Sequence, residues 1–322
     1  MYAKIEFIDK IELITMQKVD VAIQSYKKPE SLIYTLFSLK KYCSGYIDTV
    51  YINDDCSGDK IIAKYLDTNF QKFISPLKIK VRVNEKPVGY SHTIFTKNML
   101  LKNPKTIIIK PSLVIKNNFY TENDIRYEWA INSTDKEYLL IIHDDIKFLD
   151  NIIKFYLETI EKDKKIAIVG PLGQCWNCAD SHKCSPDKIL QGQYPHKYWP
   201  LTTNPKGLFP FRYKRMCRIN EWCCLINVNI ARNISKQKGC YFGNMEDKGD
   251  TGAYWFEQIV KLKYKFADPI PNKWSNNKYF IHCWQGHAGH SIWEDQGNGI
   301  QKYQKETIEK ALKEEFNYEF ND

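Results

Sequence analysis

Tyr138-Leu-Leu-Ile-Ile-His-Asp-Asp145 sets an unbroken apolar run directly against two neighbouring carboxylates. Five consecutive apolar residues with no polar alternation read as a strand covered on both faces, as in a parallel sheet packed between helices. His143, Asp144 and Asp145 then fall at or just beyond the C-terminal end of that strand. In an open α/β sheet this edge is where ligands bind.

The preceding sequence repeats the pattern. Residues 19–24, Val-Asp-Val-Ala-Ile-Gln, read as a buried strand, and Pro29 sits where a helix would begin. Leu32, Leu36 and Leu39 then recur at helical spacing. Residues 48–53 give a second strand, followed by Asp54-Asp55-Cys56-Ser57-Gly58-Asp59, a turn rich in side-chain acceptors. Residues 78–83 give a third strand, and residues 84–122 are irregular enough to predict a hairpin or an insertion. A helix over 124–133, the strand 138–142, a helix over 151–161 and a strand over 166–169 complete the alternation. The predicted fold class is α/β, with a mainly parallel, Rossmann-like sheet. After Gly170 cysteine, tryptophan, proline and glycine become frequent through residue 224, which predicts a loop-rich segment. Helices are predicted again over 229–237 and 251–262, and a lysine- and glutamate-rich helix from about Gln301.

Two acidic pairs, Asp54-Asp55 and Asp144-Asp145, each follow a predicted strand. Adjacent carboxylates at a buried strand end are costly unless a counter-charge offsets them. A divalent cation held by oxygen ligands would do so and could bridge a diphosphate. The competing reading is that each pair caps the next helix. Two pairs in one α/β pattern favour the ligand reading.

These stretches resemble the inverting, family 2 type glycosyltransferases of the GT-A fold, within the nucleotide-diphospho-sugar transferase superfamily. Residues 21–29 look like that family's first strand and following loop, and residues 50–57 are similar to the stretch in which an aspartate reads the nucleobase. Residues 126–145 resemble the helix and strand leading into its metal motif. Carried onto this chain, the resemblance implies that Ser25, Tyr26, Asp54, Arg126 and Asp144 contact a UDP- or GDP-sugar. It also implies that Asp145 binds a divalent cation, Mn2+ or Mg2+. Residues 1–145 would form the donor-binding half and residues 146–322 the acceptor-binding half of one continuous catalytic domain. The likeness covers roughly residues 19–170. Two departures stand out: His143 takes the first acidic place of the usual Asp-x-Asp, as a ligand or a wall residue, and the segment between Val83 and Arg126 is long.

Inverting transfer needs a carboxylate base beside the acceptor hydroxyl. Gly249-Asp-Thr-Gly252 resembles the family's base position, making Asp250 the first candidate, with a helix N-cap as its structural alternative. Glu246, Asp247 and, more distantly, Glu221 are the other carboxylates considered. Residues 279–291 place three histidines within nine residues. The resemblance implies a histidine returning to the metal from this region, a place that His287 fits best and His282 next. Seven of the ten cysteines fall between Cys175 and Cys240. Cys175-Trp-Asn-Cys178, with Cys184 and Cys217, predicts a structural Zn2+ site, against reduced thiols or a disulfide.

Composition sets the outer limits. A hydrophobic share of 43% with a mean hydropathy of -0.49 belongs to a soluble globular chain. No apolar run approaches the roughly 20 residues that cross a bilayer. The first 18 residues mix acids and lysines without a signal-peptide core, so a cytoplasmic protein is expected. The net charge of +9 suits a solvated lysine surface or anionic partners such as sugar nucleotides, lipid phosphates and the inner membrane surface as a peripheral site, while the family resemblance implies a glycan or lipid-linked acceptor. Nucleic acid is not expected, because the lysines are dispersed and not interleaved with aromatics. Lys-, Ile- and Asn-rich usage suggests an AT-rich bacterial genome, in which such enzymes build capsule or lipooligosaccharide. A sugar nucleotidyltransferase and a non-enzymatic, zinc-stabilised binding module are the alternatives. The first usually carries a glycine-rich loop that residues 19–30 lack, and the second leaves the acidic pairs unexplained.

Overall fold

The apolar run 138–142 becomes an inner strand of a mixed seven-stranded sheet. The computed structural model describes residues 17–88, 94–109, 111–116, 120–173, 198–202, 212–216, 218–245, 251–270, 277–283 and 304–320. Strand β1 (Val19–Ser25) leads into α1 (Pro29–Cys43), β2 (Ile47–Asp54), α2 (Asp59–Leu66), α3 (Thr68–Ile74) and β3 (Lys78–Val83). The long segment that follows is an insertion, not a hairpin, and carries three short helices, α4 (Lys97–Lys102), α5 (Lys105–Ile109) and α6 (Pro111–Lys116). After them come α7 (Glu128–Ser133), β4 (Tyr138–His143), β5 (Ile146–Phe148), α8 (Ile152–Ile160) and β6 (Ile166–Val169).

In the second half β7 (Leu172–Gly173) pairs with β10 (Arg218–Ile219), and β8 (Tyr198–Thr202) pairs with β9 (Arg212–Met216). Strand β11 (Cys223–Asn227) and β12 (Lys265–Ala267) join the main sheet, while β13 (Phe280–His282) pairs with β5. The main sheet runs β12-β6-β11-β4-β1-β2-β3, and β11 alone is antiparallel to its neighbours. The predicted mainly parallel, Rossmann-like class is what forms. Chain order reverses between β1 and β4, since β2 and β3 extend to one side and β4 lies on the other. Such a switch point opens a crevice beyond the strand ends.

Helices cover both faces. Val21, Ile23, Leu140, Ile142, Cys223 and Leu225 point to one side, against α1, α8 and the C-terminal helix Lys305–Phe316. Ala22, Leu139, Ile141, Cys224 and Ile226 point to the other, against α7 and the helices Val228–Lys238 and Ala253–Lys261. Period-two alternation thus explains why β4 and β11 must be apolar throughout. Cys223 and Cys224 are core thiols on opposite faces, not neighbours in a ligand cluster, and burial pushes both thiols up. Asp20, mid-strand, is tolerated because it accepts the Thr49 N–H at 3.0 Å and the Thr134 hydroxyl at 2.6 Å.

The helix predicted over 124–133 is shorter. A capping box between Thr121 and Asp124 opens a single 3-10 turn, with the Thr121 hydroxyl donating to Asp124 at 3.0 Å, and the turn ends where Ile125 becomes extended. α7 then begins at Glu128. The helix predicted from Thr251 begins at Ala253, because Gly252 adopts a left-handed φ of 74° just before it.

Glu128 opens α7 from inside the protein, with a side-chain oxygen 3.4 Å from the Gly243 N–H. Burial lifts its carboxyl from 4.5 to about 8, against the opposing pull of the Gly243 and Phe242 N–H groups. A folded pKa above the unfolded one stabilises at low pH, and that contribution drains away as pH climbs through the folded value. Between pH 4.5 and about 8 the slope reaches about 1.4 kcal/mol per pH unit. Glu128→Gln should therefore gain stability relative to the parent protein as pH rises from 5 to about 8, measured by urea unfolding. Parallel pH profiles for the two proteins would show that this carboxyl ionises normally.

Candidate functional site

The switch point at the ends of β1 and β4 is built by the two loops that leave those strands. After β1, Lys27 takes a left-handed φ of 55°, unusual for a side-chain-bearing residue, and its N–H donates to the Ser57 hydroxyl at 2.8 Å. The turn brings Lys28 back over the strand end. There its ammonium lies 2.7 Å from Asp144 Oδ1 and 3.0 Å from Asp145 Oδ2. All three side chains are almost wholly buried, with 5%, 8% and 4% exposure. Pro29 then starts α1, whose positive N-terminal end points to the same place.

Asp145 is the hub. Its Oδ1 is 2.9 Å from His282 Nε2 on β13 and 3.9 Å from His143 Nδ1 at the end of β4. Burial alone would raise this carboxyl, but Lys28, His282 and His143 together hold it well below the usual carboxylate range. Burial pushes the His282 imidazole down, against the attraction of Asp145, so the ring favours its neutral form. Trp222 tilts against it, with ring centroids 5.0 Å apart.

Ligand atoms of His143, Asp145 and His282 all lie within 4.8 Å of one another. Donors bound to one ion at about 2.1 Å are themselves roughly 3–4 Å apart, so the spacing fits a divalent cation. A neutral imidazole and an ionised carboxylate are also the protonation states that metal binding requires. Two nitrogens with one oxygen suit a first-row transition-metal ion better than Mg2+, which favours all-oxygen surroundings.

Glu221, expected only as a distant base candidate, stands at this site. Its Oε1 is 3.8 Å from His143 Nε2 and its Oε2 accepts from Arg218 at 3.0 Å. Burial would raise its carboxyl, yet Arg218 and His143 hold it well below the usual range.

Ser25 donates to Asp144 Oδ2 at 3.0 Å, and its hydroxyl is 3.4 Å from that of Tyr65. Tyr65 in turn lies 3.4 Å from Asp54 Oδ2, so Asp54 and Asp144 share one edge of the sheet. Asp54 itself is fully buried and turned into its own loop, accepting the Ser57 N–H at 2.7 Å and hydroxyl at 2.8 Å. Asp55 accepts from Asn84 Nδ2 at 3.0 Å and from the Val88 N–H at 2.7 Å. Tyr26 is half-buried at the same edge. Arg126 bonds the Thr251 hydroxyl and, at 3.4 Å, the Gly243 carbonyl, tying the start of α7 to the segment before the helix Ala253–Lys261. Lys28 was missed in the sequence; a lysine just before the helix-starting proline after β1 was the available signal. Asp250, Glu246, Asp247, His287, Cys175, Cys178, Cys184 and Cys217 lie outside the described residues.

No family model and no curated protein matches the chain. Solved structures resemble it at low identity. The mannosyltransferase PcManGT from Pyrobaculum calidifontis, in complex with GDP-Man and Mn2+, is 10% identical with a TM-score of 0.49, over 80% of this chain and 55% of that one. S. aureus TarS 1-349 is 15% identical with a TM-score of 0.41, over 82% and 60%. S. aureus TarS is 14% identical with a TM-score of 0.41, over 94% and 44%. The chain thus spans about half the length of the structures it matches, and likeness at this level carries no argument about activity.

Removing Lys28 leaves two buried carboxylates facing each other. Lys28→Met should cost about 3–5 kcal/mol in urea unfolding. Added Mn2+ should return part of that loss, because the cation replaces the missing ammonium at Asp145. A variant as stable as the parent protein, or one indifferent to Mn2+, would show that Lys28 does not balance the pair.

Proposed function

We propose that this chain is a glycosyltransferase that moves a sugar from a UDP- or GDP-sugar to a hydroxyl of a glycan or lipid-linked acceptor, inverting the anomeric carbon. The observation that carries the reading is the Lys28–Asp144–Asp145–His282 cluster at the switch point of the sheet. In an open α/β sheet the switch point is where nucleotides bind, and the mixture of ammonium, imidazole and carboxylate found there suits a diphosphate with an accompanying cation. The ordered motifs over residues 19–170 support the same reading.

In this scheme Lys28 and the N-terminal end of α1 receive the negative charge of the departing diphosphate. His143, Asp145 and His282 would hold a divalent cation, which stabilises charge on the leaving diphosphate when bound. Ser25 fixes Asp144, and Arg126 holds the start of α7 against residues 243–251. The base must approach the anomeric carbon from the face opposite the diphosphate. Glu221, kept ionised by Arg218, is a weak proton acceptor. Asp250, between Gly249 and Gly252, is therefore retained as the base, with Glu246 and Asp247 behind it. Residues 1–145 take the donor and residues 146–322 the acceptor, in building a bacterial surface polysaccharide.

Asp145→Ala should lose the Mn2+-dependent part of stabilisation by UDP- and GDP-sugars in thermal melting, with the fold intact. Unchanged sugar-nucleotide affinity by calorimetry in the presence of Mn2+ would rule out this role. Asp250→Asn should lower turnover by about 100- to 10,000-fold with nearly unchanged donor binding. Full turnover with a lower melting temperature would identify Asp250 as a helix cap.

A further inference from the structure

Between Glu85 and Glu122 the chain holds six lysines and no acidic residue. This stretch leaves the sheet at the end of β3 and returns at the 3-10 turn Glu122–Asp124. Its root is packed: Val88, Ile94, Phe95 and Met99 are buried with Ile125 and Tyr241. Asn98 donates to the Ser235 carbonyl at 2.9 Å, and a side chain on Gly239 would come within 2.9 Å of Met99 Cα. α4 therefore sits against the C-terminal end of the helix Val228–Lys238 with little room to move.

Beyond that root the surface turns apolar. Leu101 is 80% exposed, Ile108 81%, Ile109 71%, Ile115 64% and Ile107 46%. These include most of the large exposed hydrophobics among the described residues. Lys97, Lys102 and Lys105, also exposed, flank them. We propose that α4–α6 form a membrane-docking tip that inserts its isoleucines into an anionic phospholipid surface while the lysines contact the headgroups.

Geometry selects the bilayer over other occupants. Three consecutive exposed isoleucines on α5 cover roughly 200° of helix circumference, at about 100° per residue. A groove on a protein partner takes one stripe of a helix, with anchors spaced by three or four residues. A fluid interface takes a tip from every side. A second copy of the chain would bring like-charged lysines together, whereas anionic headgroups complement them. Because the tip is rooted beside Asp55, through the Val88 N–H, docking would set the β1–β4 crevice close to the lipid surface.

Flotation of the full chain tests this with phosphatidylcholine vesicles and with mixed phosphatidylcholine–phosphatidylglycerol vesicles. The chain should float with the mixed vesicles, less so as salt rises, and remain behind with phosphatidylcholine alone. Ile108→Ser with Ile109→Ser should lower binding on the order of tenfold or more. Lys102→Gln with Lys105→Gln should lower it about fivefold per lysine. Both pairs are at exposed positions, so melting temperatures should not change. Equal binding to both vesicle types, no binding, or full binding by the isoleucine variant would overturn the proposal. So would a dimer in solution that the isoleucine variant dissolves, which would identify a second copy as the occupant. No donor or turnover enters this measurement, so its outcome is separate from that of the transferase reading.

Discussion

Two carboxylates side by side at a buried strand end repel each other and resist desolvation, and the rest of the site follows from how that cost is met. Here the internal solution is Lys28, which touches both. An ammonium can be delivered there only if the chain reverses immediately after β1. The left-handed turn at Lys27 does this, and Pro29 fixes the direction of the helix that follows. The unfavourable backbone at Lys27 is thus tied to the electrostatics of Asp144 and Asp145. The loop after β2 holds that turn in place through Ser57, whose hydroxyl accepts the Lys27 N–H and donates to Asp54. Asp54 then serves as the brace of the loop, and Tyr65 links it back to Ser25 and the first carboxylate.

The same arrangement gives the carboxylates unequal roles. Asp144 is enclosed by Ser25 and Lys28, and its backbone carbonyl accepts from Ser31 at 2.7 Å. Asp145 faces the two histidines. Asp145 thus meets the Lys28 ammonium through Oδ2 and the two imidazoles through Oδ1. The half-buried position of His143, with 29% of its side chain exposed, makes it the member of the His143–Asp145–His282 set nearest to solvent.

What was legible in the sequence was what periodicity and strand-end chemistry encode. Residues 138–142 announced a doubly covered strand, and both acidic pairs were placed at the edge where they are found. The partners of those acids were harder to read, because they arrive from far along the chain: Lys28 and Asp145 are 117 residues apart and His282 and Asp145 are 137 apart. A sequence pattern reports neighbours within a helical turn or a strand, not the pairings that topology creates. The helix over 124–133 was overextended for a local reason. The capping box of Thr121 with Asp124 starts a helical turn, as the pattern suggests, but Ile125 is extended and breaks the run before α7.

The long segment before Arg126 also takes on meaning from this geometry. In the sequence it was only an irregularity between Val83 and Arg126. In the fold, its first anchored residues are bound to Asp55 and its return passes through Asp124, which pairs with Arg82 at the end of β3. Both attachments lie at the C-terminal edge of the sheet. An insertion fixed at the opposite edge could expose the same isoleucines and lysines without any bearing on the crevice. Fixed where it is, its orientation is set by the same loops that position the acidic pairs. The lysine-rich composition of the chain therefore has a local expression: an acid-free, apolar-tipped projection beside a carboxylate-lined crevice.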